Sequence, residues 1–220
     1  MTALLDLFCG AGGAAMGYSQ AGWEVMGIDI KRQGHYPFIY CEMDVMELLK
    51  THKEWIRAHF DVIHASPPCQ NYTVLKALHK DIDHPDLVTD VRTALQQIGL
   101  PYIIENVAGA PLINPIRLCG TMFNLRLFRH RYFEIGQKGN TIHIEQPEHT
   151  SHRKLGLKAP RTSREPVYAD GEVHSIYGHF SGVQGAREAM GIDWMNRDEM
   201  AQAIPPAYTR YIAGRINRTW

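Results

Sequence analysis

The chain has 220 residues, and its 23 lysines and arginines are balanced by 23 aspartates and glutamates. That length predicts one domain whose core needs neither disulfides nor a structural metal, and the neutral balance excludes a generally basic nucleic-acid coat. Apolar runs are short and broken by charge, and Met1-Thr2-Ala3-Leu4-Leu5-Asp6 lacks the basic start and long apolar stretch of a signal peptide, so a cytoplasmic chain with no membrane segment is expected.

In chain order, apolar runs alternate with helical patterns through the first half, the mark of βαβ units and a mostly parallel α/β sheet. Strands are predicted over 3–8, 24–30, 60–65 and 102–105, and helices over 12–21, 46–58 and 85–98. Leu87, Val91, Leu95 and Ile98 share one face of the last of these helices. After Gly120 the pattern weakens into short β segments at 132–135, 141–144 and 167–168, which read as an irregular, β-rich insertion beside the sheet. Helical spacing returns over 184–190 and 197–203, and Pro205-Pro206 opens a closing helix with Tyr208, Tyr211, Ile212 and Ile216 on its apolar stripe.

Asp6-Leu7-Phe8-Cys9-Gly10-Ala11-Gly12-Gly13 falls where the first strand hands over to the first helix. Glycines there let the backbone approach a ligand and the helix N-terminus offers N–H donors, although any tight βα turn can be glycine-rich. Asp29 ends the second strand, where α/β folds place an acid against ribose hydroxyls. Asp44, in Met43-Asp44-Val45, either accepts from an adenine amino group or caps a helix. Their order along successive strand ends points to a nucleoside-like cofactor.

Cys69 lies in Ala65-Ser66-Pro67-Pro68-Cys69-Gln70, directly after a predicted strand. Two prolines make a stiff turn able to hold a thiol at one angle for attack; the alternative is a small buried hydrophobe. Glu105-Asn106-Val107 follows Tyr102-Ile103-Ile104, which should be a buried strand, so the acid projects into the crevice where open sheets bind ligands. Burial would raise its pKa and suit it to protonate a ring nitrogen; the alternative is a solvated loop acid. In Arg129-His130-Arg131, strand alternation would send both arginines to one face, toward phosphate, a base edge or solvent.

Acid-free stretches at 107–133, holding Arg117, Arg126, Arg129 and Arg131, and at 149–164, holding Arg153, Lys154, Lys158, Arg161 and Arg164, are local stripes of positive charge of the kind phosphate binding needs. Cys9, Cys41, Cys69 and Cys119 occur singly, as in a reducing compartment. His143, His149 and His152 are spaced six and three residues apart with no cysteine beside them in sequence, so no metal is expected. His174 and His179 read as loop polars or nucleic-acid contacts.

Taken together these motifs resemble the cytosine-C5 DNA methyltransferase family, particularly its small phage-type members. The segment 6–13 is similar to the family's first motif, Pro67-Pro68-Cys69-Gln70 to its catalytic motif, Glu105-Asn106-Val107 to its acid motif, Arg129-His130-Arg131 to its arginine motif and Ala203-Ile204-Pro205-Pro206 to its closing motif. The resemblance implies a Rossmann-like S-adenosylmethionine-dependent methyltransferase sheet with helices on both faces. It divides the chain into a catalytic part over 1–133, a reduced target-recognition region over 134–196 and a closing helix over 197–220.

It also implies that Phe8, Gly10, Gly12 and Pro67 line the S-adenosylmethionine site, with Asp29 on the ribose, Asp44 on the adenine amino group, and Ile30 where many members have a stacking aromatic. Cys69 would attack C6 of a flipped cytosine in double-stranded DNA, Glu105 would engage N3, and Arg129 and Arg131 would hold the base and a phosphate. The implied partner is duplex DNA, acted on by a monomer in a bacterial or phage-infected cell, as in restriction-modification. Leu127 and Gln202 depart from the family's usual glutamine and asparagine. A tRNA cytosine methyltransferase of the same fold, and a catalytically lapsed DNA-binding relative, are the competing readings.

Overall fold

The computed structural model describes residues 1–68, 87–149, 176 and 182–216. Five strands run parallel: β1 (Ala3–Leu7), β2 (Glu24–Asp29), β3 (Ile39–Glu42), β4 (Val62–Ala65) and β5 (Tyr102–Asn106). Three more, β6 (Ile116–Leu118), β7 (Arg131–Gln137) and β8 (Asn140–Thr141), add antiparallel pairings at one side. The order across the sheet is β3-β2-β1-β4-β5-β7-β6, with β8 paired to β7.

β4 and β5 are buried along their whole length, and β1 along all but its first residue, because helices cover both faces and leave no side for polar residues. Leu5, Leu7, Ile63 and Ile104 pack on a layer formed by α2 (Val45–Thr51), α3 (Lys53–His59) and α4 (Leu87–Ile98). The intervening residues Leu4, Val62 and Ile103 pack instead with Tyr18 of α1 (Gly13–Gln20) and with Tyr208 and Ile212 of α7 (Pro206–Ile216). Each such fully buried aliphatic side chain stabilises the fold by about 1.5–3 kcal/mol.

α1 and α7 touch through bare backbone. A Cβ at Gly17 would collide with Thr209 Oγ1 and the Pro206 carbonyl, and one at Gly13 with the Ile204 carbonyl. Thr209 Oγ1 donates to the Ala14 carbonyl at 2.8 Å across this contact. The remaining helices, α5 (Val183–Met190) and α6 (Arg197–Gln202), bring Met190 and Met200 against Ala11 and Leu127, so the C-terminal region packs on the glycine turn after β1.

Several elements depart from expectation. The helix predicted over 46–58 is two helices broken at His52, where Thr51 donates its hydroxyl back to the Glu47 carbonyl at 2.7 Å. The short strands β3 and β6 were not predicted, and the segment over 141–144 pairs only at Thr141, although Ile142 and Ile144 still pack on the core. β7 extends the strand expected over 132–135 at both ends and joins the central sheet beside β5. The strand predicted over 167–168 lies outside the described residues.

Candidate active site

The carboxyl ends of β1 to β5 lie along one edge of the sheet. Past β1 the backbone turns through three positive φ angles, at Phe8 (57°), Gly10 (50°) and Gly12 (83°). Gly10 and Gly12 tolerate this region without a Cβ penalty, whereas Phe8 does not, so its conformation is imposed by the turn. Asp29 organises the turn: Oδ2 accepts from Gly10 N at 3.0 Å and Oδ1 from Lys31 N at 2.9 Å. A Cβ added to Gly10 would meet nothing within 4 Å, so the backbone there borders open space. Ile30, just beyond Asp29, is 60% exposed.

Of the two roles open to Asp44, the structure displays the cap: Oδ1 accepts from Glu47 N at 3.0 Å at the start of α2. Beneath the turn lies Asp6, buried, with Oδ1 lacking a hydrogen-bond partner among the described residues and Oδ2 accepting from Tyr36 Oη at 3.4 Å. Burial pushes its carboxyl up to about 8, against the Tyr36 hydrogen bond and with help from the Asp29 charge.

Ser66-Pro67-Pro68 leaves β4 beside this turn. Pro67 is buried and its carbonyl accepts from Asn106 Nδ2 at 2.9 Å, tying the loop to the end of β5. Ser66 N donates to the Leu7 carbonyl at 3.1 Å. Cys69 and Gln70 lie outside the described residues, so the structure describes the stem of the predicted catalytic loop up to Pro68.

Behind the loop runs a buried polar chain. His64 Nδ1 is 2.9 Å from Tyr18 Oη, and its Nε2 is 2.9 Å from Ser66 Oγ. Burial pushes His64 down to about 3, leaving a neutral imidazole. The donor order that satisfies every member has Tyr18 donating to His64, His64 to Ser66, and Ser66 to the Glu105 carboxyl, whose charge that bond stabilises.

Glu105 itself is 6% exposed. Arg131 Nε lies 3.1 Å from its Oε1 as an ion pair, but no N–H is aimed at that oxygen, which has no hydrogen-bond partner among the described residues. Burial raises the carboxyl above its ordinary pKa, opposed first by Arg131, then by Arg129 and the Ser66 bond.

β7 begins at Arg131, so Arg129 precedes the strand, and the charges of both arginines act on the Glu105 carboxyl. Arg129 is fully buried: Nη1 donates to the Ile176 carbonyl at 2.6 Å, Nη2 to the Ala201 carbonyl at 2.8 Å, and its own carbonyl accepts from Tyr208 Oη at 2.6 Å. Its guanidinium is held on these backbone carbonyls, and its charge acts on the Glu105 carboxyl. Arg131 remains at the rim of the Glu105 pocket, with Nη1 on the His130 carbonyl at 2.9 Å.

Sequence reasoning missed several residues that build the site. Tyr36 crosses from the β2–β3 loop to reach Asp6, and Asn106 fastens Pro67. Trp194 donates Nε1 to the Ala11 carbonyl at 2.8 Å, and Glu199 of α6 meets His35 at 2.9 Å, clasping the glycine turn and the loop after β2 from the far end of the chain. Only Asn106, inside a motif, carried any signal in the sequence.

The family model for C-5 cytosine-specific DNA methylases matches residues 2–112, half of the chain. The protein belongs to this family. The matched part holds the glycine turn, Asp29, the Ser66-Pro67-Pro68 stem and Glu105, while Arg129 and Arg131 lie beyond it. None of the curated protein sequences compared with this chain matches it.

Among solved structures the fold of this chain is similar to three proteins over nearly their full length. One is an E. coli protein described as a prophage-encoded DNA modification methyltransferase, with TM-score 0.62 at 14% identity, covering 99% of each chain. The others are Entamoeba histolytica EhMeth, with TM-score 0.63 at 13% identity over 100% of this chain and 98% of that one, and S. pombe Dnmt2, with TM-score 0.61 at 13% identity over 99% of each. At these identities the likeness concerns the fold. No helix among the described residues is long and apolar enough to cross a membrane.

Proposed function

We propose that the protein is a DNA (cytosine-5-)-methyltransferase that takes its methyl group from S-adenosylmethionine and acts through a covalent bond between Cys69 and C6 of a flipped cytosine in duplex DNA. The observation that carries the reading is Glu105: a buried carboxyl of raised pKa, with an oxygen that has no hydrogen-bond partner among the described residues and Arg131 beside it, at the strand end adjoining the Pro67-Pro68 stem that leads to Cys69.

The residues around the glycine turn fit the donor. Backbone open at Gly10, the exposed apolar Ile30, carboxylates at the ends of β2 and β3, and the Oδ1 of buried Asp6, which has no hydrogen-bond partner among the described residues, together suit a nucleoside that carries a positive charge. Phe8, Gly10, Gly12, Asp29, Ile30, Asp44 and Pro67 would hold it. When bound, S-adenosylmethionine supplies an electrophilic sulfonium methyl group.

The protein's part is to make C5 of cytosine reactive. A free thiol of pKa about 8.5 is only a few per cent thiolate at neutral pH but is strongly nucleophilic, and Cys69 Sγ adds to C6. Glu105 gives its proton to N3 as the ring takes up the electron pair, so charge moves to C5 without accumulating on the base. After methylation, the C5 proton passes to solvent water and the ring expels Cys69 as a thiolate while N3 returns its proton to Glu105. Arg131 stabilises the carboxylate in the interval. A base inside a duplex is out of reach, so the target flips, at a cost of a few kcal/mol that phosphate contacts offset. The residues of 134–196 outside the sheet would read the target, and one chain would suffice.

The test is a covalent trap. Duplex DNA carrying 5-fluorocytosine at its target should capture the protein as a stable adduct, because fluorine cannot leave as a proton does. Cys69→Ser should abolish both adduct and transfer while retaining donor binding. Normal turnover by that variant refutes the mechanism, and methylation of tRNA in preference to duplex DNA refutes the substrate.

A further inference from the structure

The fold brings together three metal-ligating side chains that are far apart in sequence and outside the proposed active site: Cys119 before the 3₁₀ turn Gly120–Phe123, His130 just before β7, and His149 in the chain returning from β8. Cys119 Sγ and one nitrogen from each imidazole lie within 4.8 Å of one another. The two Nε2 atoms face each other at 3.3 Å. Two Zn–N bonds of about 2.0–2.1 Å at the tetrahedral angle place their nitrogens about 3.3–3.4 Å apart, so the imidazoles already stand at the spacing of a shared ion.

We propose that Cys119, His130 and His149 bind a soft divalent cation of the Zn²⁺ class, with a fourth position open to water or another donor. The donor set is the mixture of one thiolate and imidazoles that Zn²⁺ favours over Ca²⁺ or Mg²⁺. Cys119 is fully buried, and Phe128 packs its ring 4.7 Å and 6.0 Å from the two imidazole centroids, giving the site an apolar wall. Binding forms S–metal and two N–metal bonds, and the Cys119 proton leaves to solvent. The resulting thiolate offsets part of the ion's charge, which matters because the cations Arg117 and Arg131 lie close to His130.

The ion would tie β6, β7 and the chain beyond β8 together next to Arg131, and so brace the arginine that faces Glu105. It has no part in methyl transfer, and its failure would leave the reading of the active site untouched.

The experiment uses the full chain, stripped with a chelator and titrated with Co²⁺, followed by metal analysis of chain purified from zinc-containing medium. Expected are one equivalent of metal, visible d–d bands of tetrahedral cobalt, and a near-ultraviolet thiolate-to-cobalt band. Cys119→Ser should lose the thiolate band and His149→Ala should bind at least tenfold more weakly, while His143→Ala, at an exposed histidine outside the set, should match the parent. Chelation should lower the melting temperature of the parent but not of His149→Ala. A folded parent chain that takes up no metal and shows no thiolate band overturns the proposal, whatever the variants do; so does a thiolate band that survives Cys119→Ser.

Discussion

Replacing Arg131 by glutamine isolates the electrostatics on which the proposed acid depends. Arg131 is the largest influence holding the Glu105 pKa down against burial, and both side chains are about nine-tenths buried. Removing one partner of a buried ion pair typically costs about 3–5 kcal/mol, because the remaining charge is left uncompensated. Glu105 can escape part of that by staying protonated, so the loss must depend on pH. The folded-state pKa is already raised, which means that this group's contribution to stability is full below the unfolded-state value and falls as pH rises through the folded one. In Arg131→Gln the folded value rises further, and the deficit widens toward alkaline pH. Urea denaturation should show a loss of about 1 kcal/mol near pH 4.5, where only a neutral contact is missing, growing to about 3 kcal/mol or more at pH 8.5. Adding Glu105→Gln should flatten the difference. A loss that is equal at both pH values, or absent at pH 8.5, would refute this account of the site.

Gly17→Ala should destabilise the protein by about 3 kcal/mol or more, at or beyond the upper end for overpacking, since the new Cβ meets the Pro206 carbonyl and Thr209 rather than a flexible side chain; thermal melting reads this directly. Asp6→Asn should flatten the stability profile between about pH 4 and pH 8, because the parent's buried carboxyl keeps its proton to about 8 while the unfolded chain releases it near 3.8, so parental stability falls across that window. Asp29→Ala removes the acceptor for Gly10 N and Lys31 N, and initial-rate kinetics should show KM for the methyl donor rising about tenfold with kcat changed much less, which corresponds to one to two ordinary hydrogen bonds.

The motifs were readable because their chemistry is local. The glycine turn, the Pro67-Pro68 stem and the acid after Tyr102-Ile103-Ile104 each combine backbone punctuation with a strand end, and the structure sets all three along one edge. Short edge strands were not readable: Ile39–Glu42 and Ile116–Leu118 are too brief for a period to appear, and Ile39 is 75% exposed. Strand alternation does not reach Arg129, which lies before β7 and donates to the Ile176 and Ala201 carbonyls, contacts that no local pattern encodes.

From the sequence alone came the alternating βαβ order, the family, and the residue types that can do C5 chemistry, because each is written in short windows where turn residues, apolar runs and reactive groups adjoin. Only the tertiary structure decided which groups share a charge environment. The Arg131 pairing with Glu105, the Tyr18–His64–Ser66 chain behind it, Asp6 buried beneath the turn, and Cys119 beside His130 and His149 all join residues distant in sequence. Burial and proximity across strands set pKa values and ligand geometry, and neither leaves a period or a spacing in the chain that a reader could find.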